Sequence, residues 1–245
     1  MAKRGKVTHN VVTEDIIERP IRSRKYEEYF LIVCEDESTE PHYFGEYQKQ
    51  FESILHKKTV YLKSVGTGRN SLGVVEQAII ERDRLQTEAD THIDHVWAVF
   101  DKDSLDETEG NRERFEKAFE LADKEQVRVA YSNECFELWL LLHFIDVRSD
   151  IPLSRTDYIY PALEELVNKG RTDETKIPYD HKHPNTDFLD AIMKSGTQDN
   201  AIHRAKLLDE YHNNQNHSPI DSNPNTLVYK LVSELNGLLD WYKNG

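Results

Sequence analysis

Cys34 and Cys135 are the only cysteines in 245 residues. Two thiols cannot build a disulfide framework or a thiolate metal cluster. A chain this long needs neither, because a compact fold of its size buries most of its apolar surface. Long hydrophobic runs are missing too. No window approaches the ~18 consecutive apolar residues of a membrane span, and the opening MAKRGKVTHNVVTEDIIERP has no apolar stretch of the signal-peptide kind. Positive charge is in short supply: 31 Lys and Arg against 45 Asp and Glu leave a net −14. That balance excludes a simple nucleic-acid-coating protein, which displaces counterions from phosphates with Lys and Arg. An enzyme touching nucleic acid at one small site stays open, provided a local basic strip, a metal or a partner overcomes the long-range repulsion. At 10% aromatics the chain is too rich for a disordered one. The expectation is a soluble, cytoplasmic protein.

Residues 1–28 show little periodicity, and Lys3, Arg4, Lys6, Arg19, Arg22, Arg24 and Lys25 make them a locally basic, flexible arm or a plain solvated tail. From Tyr29 short apolar runs alternate with amphipathic stretches. Tyr29 to Cys34 is a strand too apolar to be half exposed, so both its faces should be covered. Further strands are predicted over 59–65, 95–100 and 127–131, and helices over 40–51, 72–85 (with Ser71 as the candidate cap), 111–125 and 136–144. The alternation implies βαβ units, a parallel sheet of about four strands and helices on both faces. This α/β domain spans 29–146. Segments 158–169, 186–194, 199–212 and 225–243 all read helical, separated by breakers such as His183-Pro184-Asn185 and Asn223-Pro224-Asn225. Residues 147–245 therefore read as a helical region packed on the core.

Open parallel sheets bind ligands outside the carboxyl ends of their strands, where strand order reverses. Acids gather at those ends here: Glu35-Asp36-Glu37 after the first strand, Asp101-Lys102-Asp103 after the third, Asn133-Glu134 and Glu137 after the fourth. In extended chain, residues i and i+2 point to the same side, so Asp101 and Asp103 can face one cation. Converging carboxylate oxygens make a hard site, suited to Mg²⁺ or Mn²⁺ rather than zinc. Lys102 alternates away from that pair and is a weak candidate for stabilising phosphoryl charge.

A Glu ending the first strand and a strand ending in D-x-D two strands later resembles the Toprim domain of topoisomerases, primases and OLD-type nucleases. Ile32-Val33-Cys34-Glu35-Asp36-Glu37-Ser38-Thr39-Glu40-Pro41 is similar to the I-V-C-E-G-x-x-T-E-P opening of RloB-like proteins. Trp97 to Asp103, Ser132 to Phe144 and Asn223-Pro224-Asn225-Thr226-Leu227-Val228 resemble that family's other segments. Two departures stand out: Asp36 replaces the usual Gly, and Glu134 sits where Pro is frequent. The resemblance implies a Toprim-like, Rossmann-like fold and a Mg²⁺- or Mn²⁺-dependent nuclease of anti-phage defence. Its substrate would be DNA or RNA, tRNA included, and its partner an ATPase of the RloA or OLD-like kind; related nucleases are often homodimers. By the same carry-over Glu35 is general base or metal ligand, Asp101 and Asp103 hold the metal, and Glu40, Asn133 and Glu137 line the pocket.

Each signal also has a plain structural explanation. Glu137 at a helix start complements the dipole, and Asn133 or Glu134 can simply cap that helix. Gly66-Thr67-Gly68-Arg69-Asn70 can cradle a phosphate, yet it lacks a P-loop ending and reads better as a strand-to-helix turn. His181 and His183 read as solvated loop, Trp139, Tyr158, Tyr160 and Trp241 as core, and Cys34 and Cys135 as buried, inert thiols. Two other functions compete with the nuclease. A HAD-like phosphotransferase would need its D-x-D on the first strand rather than the third. A non-catalytic partner of an ATPase would have no need for the acids. The −14 charge further suggests an enzyme held or delivered by a partner complex.

Overall fold

The computed structural model describes residues 28–54, 60–102, 110–180 and 186–244. The basic arm (residues 1–27 of it), Asp103, His181 and His183 lie outside the described residues. Five strands form one sheet: β1 (Glu28–Cys34), β2 (Val60–Gly66), β3 (His95–Asp101), β4 (Arg128–Asn133) and β5 (Asn225–Thr226). Their order is β2-β1-β3-β4-β5, parallel throughout except for β5, which runs antiparallel to β4.

The helices between the parallel strands are α1 (Thr39–Ile54), α2 (Ser71–Ala89) and α3 (Asn111–Lys124). After β4 come α4 (Glu137–Leu141), a π-turn at Arg155–Ile159, α5 (Tyr160–Val167), α6 (Thr186–Ser195), α7 (Gln198–Asn214) and α8 (Val228–Asn244). No helix among the described residues is long and apolar enough to cross a membrane.

The alternation of β1 decides the layers. Tyr29, Leu31 and Val33 join Ala98 and Phe100 of β3 under α2 and α3. Phe30, Ile32 and Cys34 join Trp97 and Val99 under α1 and the helices that follow β4. Period-two geometry thus sends one apolar strand into two separate cores, as expected of a strand too apolar to be half exposed. The C-terminal helices belong to the second core, and β5 adds a fifth strand that two residues could not announce in a sequence pattern. It is fixed by Ser132 and Thr226, whose hydroxyls meet at 3.0 Å.

Several local expectations need correction. The side-chain cap of α2 is Asn70, whose Oδ1 accepts from the Gly73 N–H at 3.0 Å; Ser71 is the first helical residue. The helix expected over 136–144 is regular only over Glu137–Leu141, with no side-chain cap. Asn133 instead donates to the Pro219 and Ile220 carbonyls, and Glu134 accepts from the Arg155 N–H at 3.1 Å. Trp139 is fully buried as expected, but Tyr158 is 42% and Trp241 64% exposed. Helical spacing assigns those rings to one side of an element without showing that anything covers it.

Candidate functional site

Strand order fixes where the site lies. The chain leaves β1 for β2 on one side, then returns past β1 to place β3 on the other. The reversal opens a crevice between the carboxyl ends of β1 and β3, the position where open α/β sheets take ligands. Glu35 and Asp101 stand there. The Glu35 N–H donates to the Val99 carbonyl at 2.9 Å, and Gly68 N–H donates to the Glu35 carbonyl at 2.8 Å. With its backbone held from both sides, Glu35 turns its carboxylate across the switch, where Oε2 accepts from the Asp101 N–H at 3.0 Å.

The loop after β1 is shaped by its own acids. Asp36 Oδ2 accepts from Thr39 N–H at 2.7 Å and Oδ1 from Glu37 N–H at 2.7 Å. Glu40, the second residue of α1, reaches back so that its Oε2 accepts from Asp36 N–H at 2.7 Å. This reciprocal clamp satisfies orphan donors at a helix start in the manner of a capping box. It also gives the departure at Asp36 a use, since the carboxylate replacing the family's Gly starts α1. Gly66 lets the loop sit close: a Cβ there would lie 2.5 Å from both the Asp36 carbonyl oxygen and Glu37 Cα. Gly68, at φ +60°, occupies the left-handed region that favours glycine.

Glu35, Glu40 and Asp101 line one cleft of about 490 Å³, with Asp36, Glu37, Ser38 and the turn Gly68-Arg69-Asn70 on its rim. Lys102 is not among its lining residues. A larger cleft of about 570 Å³ lies in the C-terminal region beside Glu164, Lys169 and Lys176, away from the strand ends; volume alone does not choose the site.

Glu40 is 1% exposed. Burial, reinforced by the Asp36 carboxylate, holds its carboxyl well above the usual range, and the charges of Glu35 and Glu137 push the same way. Glu137 stands behind the cleft rather than on its wall. It is 7% exposed, and its Oε1 accepts from the Tyr179 hydroxyl. Tyr160 stacks obliquely on Tyr179 with ring centroids 5.1 Å apart. Burial and then the Glu137 charge push both phenols well above their ordinary value, so Tyr179 stays a donor. Tyr179 is the residue that sequence reasoning missed. It lies in an irregular stretch after a Pro, where no periodicity or motif marks it. Burial also pushes the Cys34 and Cys135 thiols well up, which makes them the inert packing groups expected.

Glu35 and Asp101 present hard oxygen donors, the chemistry that suits Mg²⁺ or Mn²⁺. Magnesium is commonly held by one or two carboxylates, with waters and substrate phosphates completing the shell. The donor set present fits such an ion. No group of three or more His, Cys, Asp or Glu converges to hold a metal among the described residues, and Asp103, the third expected ligand, lies outside them.

The family model for RloB-like proteins matches residues 30–235. The chain belongs to the RloB-like family. The match runs from within β1 to the first half of α8, so the switch-point acids and most of both cores fall within it. No curated protein and no solved structure gives a significant match.

Proposed function

We propose that this RloB-like chain is a metal-dependent nuclease of the Toprim kind, cleaving phosphodiester bonds in DNA or RNA, with tRNA among its candidate substrates. The observation that carries this reading is that Glu35 and Asp101 share one acidic cleft at the switch point of the sheet, the Glu35 carboxylate accepting from the Asp101 backbone N–H at 3.0 Å. A family role in anti-phage defence, with an ATPase partner of the RloA or OLD-like kind, completes the proposal.

Mg²⁺ or Mn²⁺ held by Glu35 and Asp101, together with Asp103, would supply Lewis-acid stabilisation of phosphoryl oxygens and an activated water. The protein's own groups do the positioning. The Asp36–Glu40 clamp fixes the loop that carries Glu35, and the two backbone bonds to Glu35 keep its carboxylate facing β3. Tyr179 orients Glu137 behind the cleft. Fixed donors and carboxylates of this kind are the raw material of electrostatic preorganisation.

The test is cleavage of plasmid DNA and, separately, total tRNA by the full chain with Mg²⁺, Mn²⁺ or EDTA, beside Glu35→Ala. Metal-dependent cutting should fall at least about a hundredfold in the variant, the scale for losing one preorganised electrostatic group. Equal cutting by both proteins would remove Glu35 from the site. No cutting by the wild type, even with the partner ATPase added, would leave a non-catalytic partner of that ATPase as the better reading.

A further inference from the structure

A chain at net −14 needs a local cation to receive a polyanion. A second cleft, of about 410 Å³, adjoins the acidic one and shares Gly68, Arg69 and Asn70 with it. Arg69, from the β2–α2 turn, and Arg114, from the first turns of α3, both line it. Arg114 donates to Asn111 Oδ1 at 3.1 Å, which turns its guanidinium back over the start of its own helix. Arg82, Arg84, Arg112, Arg128 and Arg204 each meet a carboxylate. Among the described residues neither Arg69 nor Arg114 makes such an ion pair. Glu76 also lines the cleft, and the Glu37 carboxylate lies near Gly68. Two carboxylates, Glu76 and Glu37, are thus near the cleft, and neither forms an ion pair with Arg69 or Arg114 among the described residues.

Building on the nuclease reading, we propose that the Arg69–Arg114 cleft is a subsite for a backbone phosphate of the nucleic-acid strand whose neighbouring phosphodiester lies at Glu35 and Asp101. A guanidinium presents its donors in a planar fork that matches phosphate oxygens. The shared rim is what makes the two clefts one path: a strand leaving the acids crosses Gly68-Arg69-Asn70 and meets Arg114 next. A backbone phosphate is the same group in DNA and RNA, so the subsite itself does not distinguish them.

The experiment compares the wild type with Arg69→Gln/Arg114→Gln, and with Arg148→Gln as a control at an exposed arginine paired to Asp150 in the C-terminal region. Fluorescence anisotropy of a labelled single-stranded DNA and of tRNA is measured with Ca²⁺ in place of Mg²⁺, at several salt concentrations. Single-turnover cleavage is measured in parallel. The double variant should bind about tenfold more weakly to at least one of the two probes. Its log K against log[salt] slope should be shallower by about 0.7, the value per phosphate contact for single strands. Its single-turnover cleavage at subsaturating protein should fall in step with its affinity, and the control should match the wild type. Unchanged affinity and slope with cleavage intact would overturn the subsite and leave the nuclease standing. Weakened binding by the double variant, beside a wild type that binds but never cleaves, would uphold the subsite and sink the nuclease. A wild type that binds neither probe overturns the subsite. If the double variant fails to fold, Arg114→Gln alone carries the same comparison, with a smaller change in the same direction.

Discussion

The two faces of one sheet are buried in different ways. Under Tyr29, Leu31, Val33 and Phe100 the cover is α2 and α3, both taken from the crossovers of the α/β pattern itself. Under Phe30, Ile32, Cys34 and Trp97 the cover is α1, then α4, and then side chains from α5 to α8. The first face is closed mainly by sequence neighbours, Ile220 being a distant exception. The second is closed by residues more than 100 positions away, such as Val232 and Leu235. The comparison teaches that the C-terminal helices complete the hydrophobic burial of the sheet and also deliver Tyr179 to Glu137. Stability and site geometry therefore share one set of contacts on that face.

The strongest way to break this comparison is to hollow out the far-closed face. Trp139 is fully buried on α4 between the sheet and the C-terminal helices. Trp139→Ala should cost about 3–5 kcal/mol, the usual range for a large aromatic truncated in a core. If the helices and the sheet share one core, urea unfolding of wild type and variant should each follow a single transition, seen alike by circular dichroism and by fluorescence. Two separated transitions would mean that the C-terminal region folds by itself and merely rests on the sheet.

A smaller effect sharpens the contrast through pH. His143, just past α4, is 4% exposed and packs against Trp139 and Tyr43. Its Nδ1 donates to the Trp139 carbonyl at 3.0 Å. Burial pushes its pKa down to about 4, while in the unfolded chain it titrates near ~6.5. Between those values the unfolded state binds the extra proton, so stability is complete above about pH 6.5 and drains away as pH falls toward 4. The gap corresponds to about 3 kcal/mol. His143→Phe should flatten the slope of unfolding free energy against pH in that window, measured by urea titration at half-unit steps. An unchanged slope would place the acid lability elsewhere.

Much of this was legible before any coordinates, for reasons tied to particular residues. β1 was readable because both its faces are buried, which writes an unbroken apolar run. Glu35 and Asp101 were readable because a strand end followed by acid is a local pattern. What stayed hidden was non-local. β5 is two residues long and pairs only through its position beside β4. Tyr179 acquires a role only because a later segment folds back onto Glu137, and nothing in the helical pattern over 111–125 sets Arg114 apart from its neighbours. Tyr158 and Trp241 misled in the opposite sense, since spacing defines a helix face but not a neighbour for it. Glu40 matched a motif, and the structure adds what the motif does not contain: its carboxylate closes the turn that presents Glu35.

The central claim is that Glu35 and Asp101 form a divalent-cation site at the switch point. Its most direct test needs no substrate: titration of Mn²⁺ into the full chain, with free Mn²⁺ followed by electron paramagnetic resonance, for wild type, Asp101→Asn and Arg148→Gln. The account predicts saturable binding by the wild type and by Arg148→Gln, and its loss in Asp101→Asn with circular dichroism unchanged. Equal binding by all three proteins, or none by the wild type, would contradict it.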